Sequence, residues 1–127
     1  MKENKPFRIS DRVKSFGYAF EGIVIFFRTQ HNAWIHLLAT VFVIITGFFL
    51  KINASEWCWI TSAIIIVIIT EMLNTAIEFM CDTFTLDNHP QIKKIKDIAA
   101  GAVLIAALGA LVIGCLILIP NIIALMY

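Results

Sequence analysis

Charge is scarce in this sequence and absent from long stretches of it. Asp, Glu, Lys and Arg together make 15% of the 127 residues, while apolar types make 60%, against about 45–50% in soluble domains. A water-soluble core of this size cannot hide so much apolar surface, which leaves an integral membrane protein. The net charge of +1 gives no basic footprint, so no nucleic-acid partner is expected. Cysteine is limited to Cys58, Cys81 and Cys115, all in apolar segments and none in a CxxC pair. They read as small hydrophobes rather than as a redox or metal site. Neither GxxxxGKS/T nor GxGxxG occurs, so no known soluble phosphate loop is in use. The opening MKENKPFRISDRVKSF holds no unbroken apolar stretch and is not expected to act as a cleavable leader.

What the chain does have is long apolar runs. A helix needs about 20 residues to cross the hydrocarbon, and a spanning backbone must satisfy its own hydrogen bonds. The runs therefore predict transmembrane helices over about 33–51, 56–82 and 96–120. The first link, KINASEW, is short and makes a hairpin of the first two spans. The second, DTFTLDNHPQIKKIKD, carries Lys93, Lys94 and Lys96, and the N-terminal segment carries Lys2, Lys5, Arg8, Arg12, Lys14 and Arg28. The excess of positive charge places the N-terminus and second link in the cytoplasm and the C-terminus outside. Trp57, Trp59 and Tyr127 fall where interfacial aromatics are expected.

Residues 7–28 have a different pattern. At about 100° per residue, Ile9, Val13, Phe16, Phe20, Ile23, Val24 and Phe27 share one face, and Asp11, Lys14, Ser15, Tyr18 and Glu21 the other. That is an amphipathic helix suited to lying in the membrane surface. The fold class is thus all-α integral membrane, a single domain over 1–127 with one surface helix and three spans. The third span is rich in Ala and Gly, from Ala99 to Gly114, which allows close packing within the chain or between subunits.

The second span ends in TEMLNTAIEFMCD, and there the scarcity of charge breaks down. With Glu71 at 0°, Asn74 falls at about −60°, Thr75 at about 40°, Glu78 at about −20° and Asp82 at about 20°, one stripe rising about 16 Å. A charge at mid-bilayer costs about 2.5–3.5 kcal/mol, so such a stripe faces protein, a cavity or a cation. Glu71 lies deepest, among apolar neighbours, which suits a general base working near neutral pH. Glu78 and Asp82 lie nearer the cytoplasm, where hard oxygen ligands suit Mg²⁺ shared with phosphates. Lys96 and Asp97 open the third span beside a helix N-terminus that favours anions. Base, metal carboxylates, lysine and helix N-terminus together suggest phosphoryl transfer, with a lipid alcohol as the natural candidate acceptor, and the residues alone reach as far as a membrane site for a metal–phosphate ligand. An ion pathway, a non-enzymatic membrane assembly, would use similar residue types in the stripe, but has no need of Lys96 and Asp97. His31 and His36 are about 140° apart on a helix and cannot share a metal; interfacial hydrogen bonding is expected of them.

EMLNTAIEFMCD (71–82) and HPQIKKIKDIAAGAVL (89–104), with TQHNAWIH (29–36) and GYAFEG (17–22), resemble the prokaryotic diacylglycerol kinase family, which includes the closely similar undecaprenol kinases. The resemblance covers about Arg12 to Pro120. It implies a homotrimer with active sites between subunits, ATP as co-substrate and Mg²⁺ as cofactor, in the cell membrane. It implies that Glu71 activates the lipid hydroxyl, that Glu78 binds metal, and that Asn74 and Asp82 support the site. It assigns Asp87, Asn88 and His89 to a nucleotide-contacting turn, Lys96 and Asp97 to phosphate and nucleotide, Tyr18 to a further nucleotide contact, and Ala100 with Glu71 to the acceptor. Two positions depart from the family pattern. Gln30 stands where the family commonly has a metal-binding Glu, so a second metal ligand here would be an uncharged amide oxygen, and a catalytically degenerate relative becomes conceivable. Arg12 is one position away from the arginine expected to contact nucleotide. The implied acceptor is diacylglycerol, giving phosphatidic acid for lipid synthesis, or nearly equally undecaprenol, giving the phosphate that carries cell-wall precursors.

Overall fold

The computed structural model describes residues 8–84 and 89–126. Four helices follow one another: α1 (Ile9–Thr29), α2 (His31–Leu50), α3 (Ala54–Phe84) and α4 (Pro90–Met126). Among the described residues there is no strand. The run Ile64 to Ile69 is β-branched throughout and would favour a strand in a half-buried sheet. In hydrocarbon the need to satisfy every backbone group locally overrides that preference.

α2, α3 and α4 are each long and apolar enough to cross a membrane. The 31 residues of α3 and 37 of α4 exceed the about 20 a span requires, so both project beyond the hydrocarbon. α4 corrects the expected end at residue 120, because Pro120 lies inside the helix, which runs on to Met126. Proline removes one backbone donor, and a membrane helix tolerates this when neighbours satisfy the freed groups. The carbonyl that loses its donor is that of Leu116; in the same turn the next residue, Asn121, donates through Nδ2 to the Ile117 carbonyl at 2.8 Å. The other helices start or stop within two residues of the expected positions, except that α4 starts six residues early, at Pro90. Proline is favoured at the first helical position. His89 precedes it, with its carbonyl accepting from Lys93 N–H and its Nδ1 from Gln91 N–H.

The corner between α1 and α2 is a single extended residue, Gln30 (φ −111°, ψ 112°). Trp34 fixes it, its indole N–H donating to the Phe27 carbonyl at 2.9 Å and its ring meeting Phe27 edge-on. The turn between α2 and α3 is tight. Lys51 adopts the left-handed region (φ 52°), and Ile52 N–H bonds the Gly47 carbonyl, a Schellman-type stop. Asn53 then caps α3. Its Oδ1 accepts from Glu56 N–H at 3.0 Å while Glu56 Oε2 accepts from Asn53 N–H at 2.8 Å, a reciprocal capping box. The other oxygen of Glu56 accepts from Asn121 Nδ2 at 2.9 Å, so one carboxylate joins the turn to the far end of α4.

The interior is a seam along α3. Ile60, Ala63 and Val67 are buried, and Glu71 and Thr75 continue the same line, at the three- and four-residue steps of one helix face. Large apolar side chains such as Phe42, Ile45, Ile105 and Leu116 cover the outside of the bundle, the surface a lipid environment would accept.

Candidate active site

Glu71 is 4% exposed and Thr75 equally so; both are inside the bundle rather than facing lipid. The Thr75 hydroxyl donates to the Glu71 carbonyl oxygen at 3.0 Å, which leaves the carboxylate to find a partner elsewhere. That partner is His36 of α2, whose Nε2 stands 3.1 Å from Glu71 Oε1. An ionised carboxylate only accepts, so Nε2 is then the donor. The expectation of a merely interfacial His36 is corrected here: the imidazole points across the hairpin into the seam of α3.

One turn further along the stripe, Asn74 Nδ2 donates to Glu78 Oε1 at 3.0 Å. Asn74 Oδ1 is buried with no hydrogen-bond partner. An orphaned amide oxygen beside a carboxylate is a pair of hard oxygen donors pointing at no protein cation. At the end of the stripe, Asp82 accepts from Lys96 Nζ across the α3–α4 interface. Lys93 Nζ meets Asp97 Oδ2 at 2.5 Å on the exposed face of α4, an i,i+4 pair that solvent screens. Lys96 has three donors, so its bond to Asp82 leaves capacity for a second anion.

The structure thus joins Glu71 to His36, Asn74 to Glu78, and Asp82 to Lys96. Gln30 lies six residues before His36 and Glu78 seven after Glu71 on antiparallel helices. At 1.5 Å per residue they sit about 9 and about 10.5 Å along the helix axes from the His36–Glu71 pair, on the same side of it. Tyr18 is exposed on α1 and makes no hydrogen bond to the stripe among the described residues. Arg12 is exposed on the same helix. His89 is the residue before α4, its ring turned toward a helix N–H. Ala100 is exposed on α4, and Asp97 lies one turn before Gly101 on that helix. Asp87 and Asn88 lie outside the described residues. Among the described residues no three His, Cys, Asp or Glu side chains converge as a metal cage.

Beyond the Glu71 end of the stripe, toward the hairpin, lies an apolar cavity of about 460 Å³ between α2, α3 and α4. His36, Ala63, Val67, Ala107, Ala110 and Gly114 are on its wall. The small residues of α4 that the sequence offered as packing sites therefore leave space as well. Sequence reasoning missed two residues, His36 as the partner of Glu71 and Asn121 as the partner of Glu56. A signal for the first existed. Counted from Ile52 in the hairpin turn, positions 36 and 71 lie at similar distances, about 16 and 19 residues, which puts them within a turn of each other on antiparallel helices.

Three apolar helices long enough to span, with carboxylates held inside the second, define a polytopic membrane protein with a polar site in its interior. The sequence profile of the prokaryotic diacylglycerol kinases matches residues 17–118, and the chain belongs to that family. It is 41% identical to an undecaprenol kinase of Bacillus subtilis over 108 residues, covering 85% of this chain and 88% of that one. It is 38% identical to a diacylglycerol kinase of Synechocystis over 113 residues, covering 88% of this chain and 65% of that one. A diacylglycerol kinase of Escherichia coli is 27% identical over 113 residues, with 84% and 87% covered.

Proposed function

We propose that the protein is a lipid kinase that transfers the γ-phosphoryl group of ATP to the hydroxyl of a membrane lipid alcohol. The observation that carries this reading is the Glu71 carboxylate, buried within a spanning helix and within hydrogen-bond distance of His36. In the reaction the lipid oxygen bonds to the γ-phosphorus as the bond to the β-bridging oxygen breaks. The hydroxyl proton passes to Glu71, and ADP leaves. Phosphoryl transfer of this kind depends on positioning and charge stabilisation more than on covalent chemistry.

Mg²⁺ fits the residues present. Glu78 and the unpartnered Asn74 Oδ1 are hard oxygen donors, and a site of one or two such ligands completed by substrate phosphates and water is typical of this ion. Bound there with Gln30, it would neutralise charge on the transferring phosphates. Lys96 would reach a phosphate from its position beside Asp82, with Asp97, His89, Asp87 and Asn88 near the nucleotide and Tyr18 and Arg12 approaching it from α1. The acceptor's hydroxyl would meet Glu71, with Ala100 against the lipid.

The same reading includes α1 as an amphipathic helix in the membrane surface, with the N-terminus cytoplasmic and the C-terminus outside. It also includes the homotrimer that the family resemblance implies; one chain's three spans leave the stripe from Asn74 to Asp82 only partly enclosed, which supports association of chains. Diacylglycerol and undecaprenol both remain as acceptors. The relatives at 41% and 38% identity bear those two different names.

The test offers each lipid separately in mixed micelles with labelled ATP and Mg²⁺, with Glu71→Gln alongside. Label entering one lipid and lost in the variant establishes the kinase and its acceptor. Protein that is folded and oligomeric yet labels neither lipid refutes the reading.

A further inference from the structure

We infer that His36 is a positioning residue for Glu71, holding the carboxylate in the orientation that receives the lipid hydroxyl proton; this rests on the proposed role of Glu71 as base. A glutamate can turn about its side-chain torsions, and a buried carboxylate that has lost water needs a donor to stay ionised. Among the described residues His36 Nε2 is the side-chain donor at hydrogen-bond distance, 3.1 Å from Oε1. Thr75, the nearest alternative on the same helix, has its hydroxyl committed to the Glu71 carbonyl. The imidazole engages one carboxylate oxygen and leaves the other for the substrate.

The position of the ring separates this role from plain helix-to-helix bonding. His36 retains 25% of its side-chain exposure while Glu71 keeps 5%, and His36 stands on the wall of the apolar cavity between α2, α3 and α4. The donor therefore sits between the base and the space where an apolar chain can lie. A bond serving only to fasten α2 to α3 would gain nothing from bordering open space. The contact also lies within the apolar part of α2, where a ring nitrogen without a partner would be costly.

The experiment compares His36→Gln, His36→Asn and His36→Phe in the full-length protein in mixed micelles. Glutamine places its amide nitrogen close to where the imidazole Nε2 stands. Asparagine carries the same amide one carbon short of it, and phenylalanine keeps the ring without a donor. The readouts are kcat, KM for ATP, and thermal unfolding of each variant. Expected is a fall in kcat of about 10–100-fold for the Phe and Asn variants, the usual cost of losing a group that orients another, with KM for ATP unchanged. The Gln variant should recover most of the rate. Combined with Glu71→Gln, His36→Phe should lower the residual rate less than about twofold further, because the two act as one unit. If the Phe variant does not assemble, the contrast of Gln with Asn decides. Equal rates for Gln and Asn, or wild-type kcat in both Phe and Asn with Glu71→Gln inactive, overturn the positioning role alone. An active Glu71→Gln enzyme overturns the base assignment itself.

Discussion

Lys96 and Asp82, fourteen residues apart in sequence, meet across the α3–α4 interface through a direct ammonium–carboxylate bond. The pair sits where the polar stripe leaves the interior, with Asp82 about half exposed and Lys96 about a third. This arrangement presents one lysine at the end of α3 and the start of α4 together. Lys96→Met should lower kcat/KM for ATP by about 10–100-fold, because the proposed charge-assisted phosphate contact would be lost. Thermal unfolding should change little, since the partner charge is solvated. Steady-state kinetics at varied ATP checks the first part, and unaltered kcat/KM removes Lys96 from the nucleotide site.

Glu71→Gln should cut turnover by about 10²–10⁴-fold, the usual span of a general base. The amide retains the volume of the carboxylate within the seam of α3, so helix content and assembly should be those of the wild type. Circular dichroism and size-exclusion chromatography measure that side of the prediction. Turnover within threefold of wild type would exclude proton abstraction by this residue.

Gln30 can offer a metal only an amide oxygen. Gln30→Glu adds a charged ligand at the level of Glu78, and charge count tunes the affinity of such sites. The Mg²⁺ concentration for half activity should fall by roughly 3–10-fold. A titration with an unchanged midpoint would argue against any metal contact from this corner.

Gly47 has a steric rather than a conformational reason to be glycine. A Cβ there would stand 2.9 Å from the Trp57 ring and 3.0 Å from Ile52 Cδ1. Gly47→Ala should destabilise the protein by about 1–3 kcal/mol, as overpacking does. Rate per folded molecule should hold, because the clash is at the end of the bundle away from Glu71. Thermal unfolding in detergent, paired with the kinase assay, separates the two effects.

The polar stripe was legible in the sequence because it depends only on spacing within one helix. Glu71, Thr75 and Glu78 fall on one face at helical steps whatever surrounds them, and the scarcity of charge elsewhere draws attention to them. The three spans were legible for the same local reason. The His36 bond was not read, although counting from the turn at 51–53 brings positions 36 and 71 to about one level; whether they face each other depends on how each helix is rotated about its axis. Nor was the continuation of α4 past Pro120. Proline disfavours a helix interior by removing one donor and crowding the carbonyl four residues back, yet membrane helices tolerate it, and here Asn121 Nδ2 bonds both the Ile117 carbonyl and Glu56.

Glu56 bonds the Asn53 backbone and Asn121 at once, and the same end of the bundle holds Trp57 against Phe48 and Gly47. The opposite end is tied by the solvent-facing Lys96–Asp82 pair, a kind of bond that salt weakens. The two ends of the bundle are therefore fastened unequally: partly buried bonds hold the hairpin end, and a bond that ionic strength can loosen joins α3 to α4 where the polar stripe emerges.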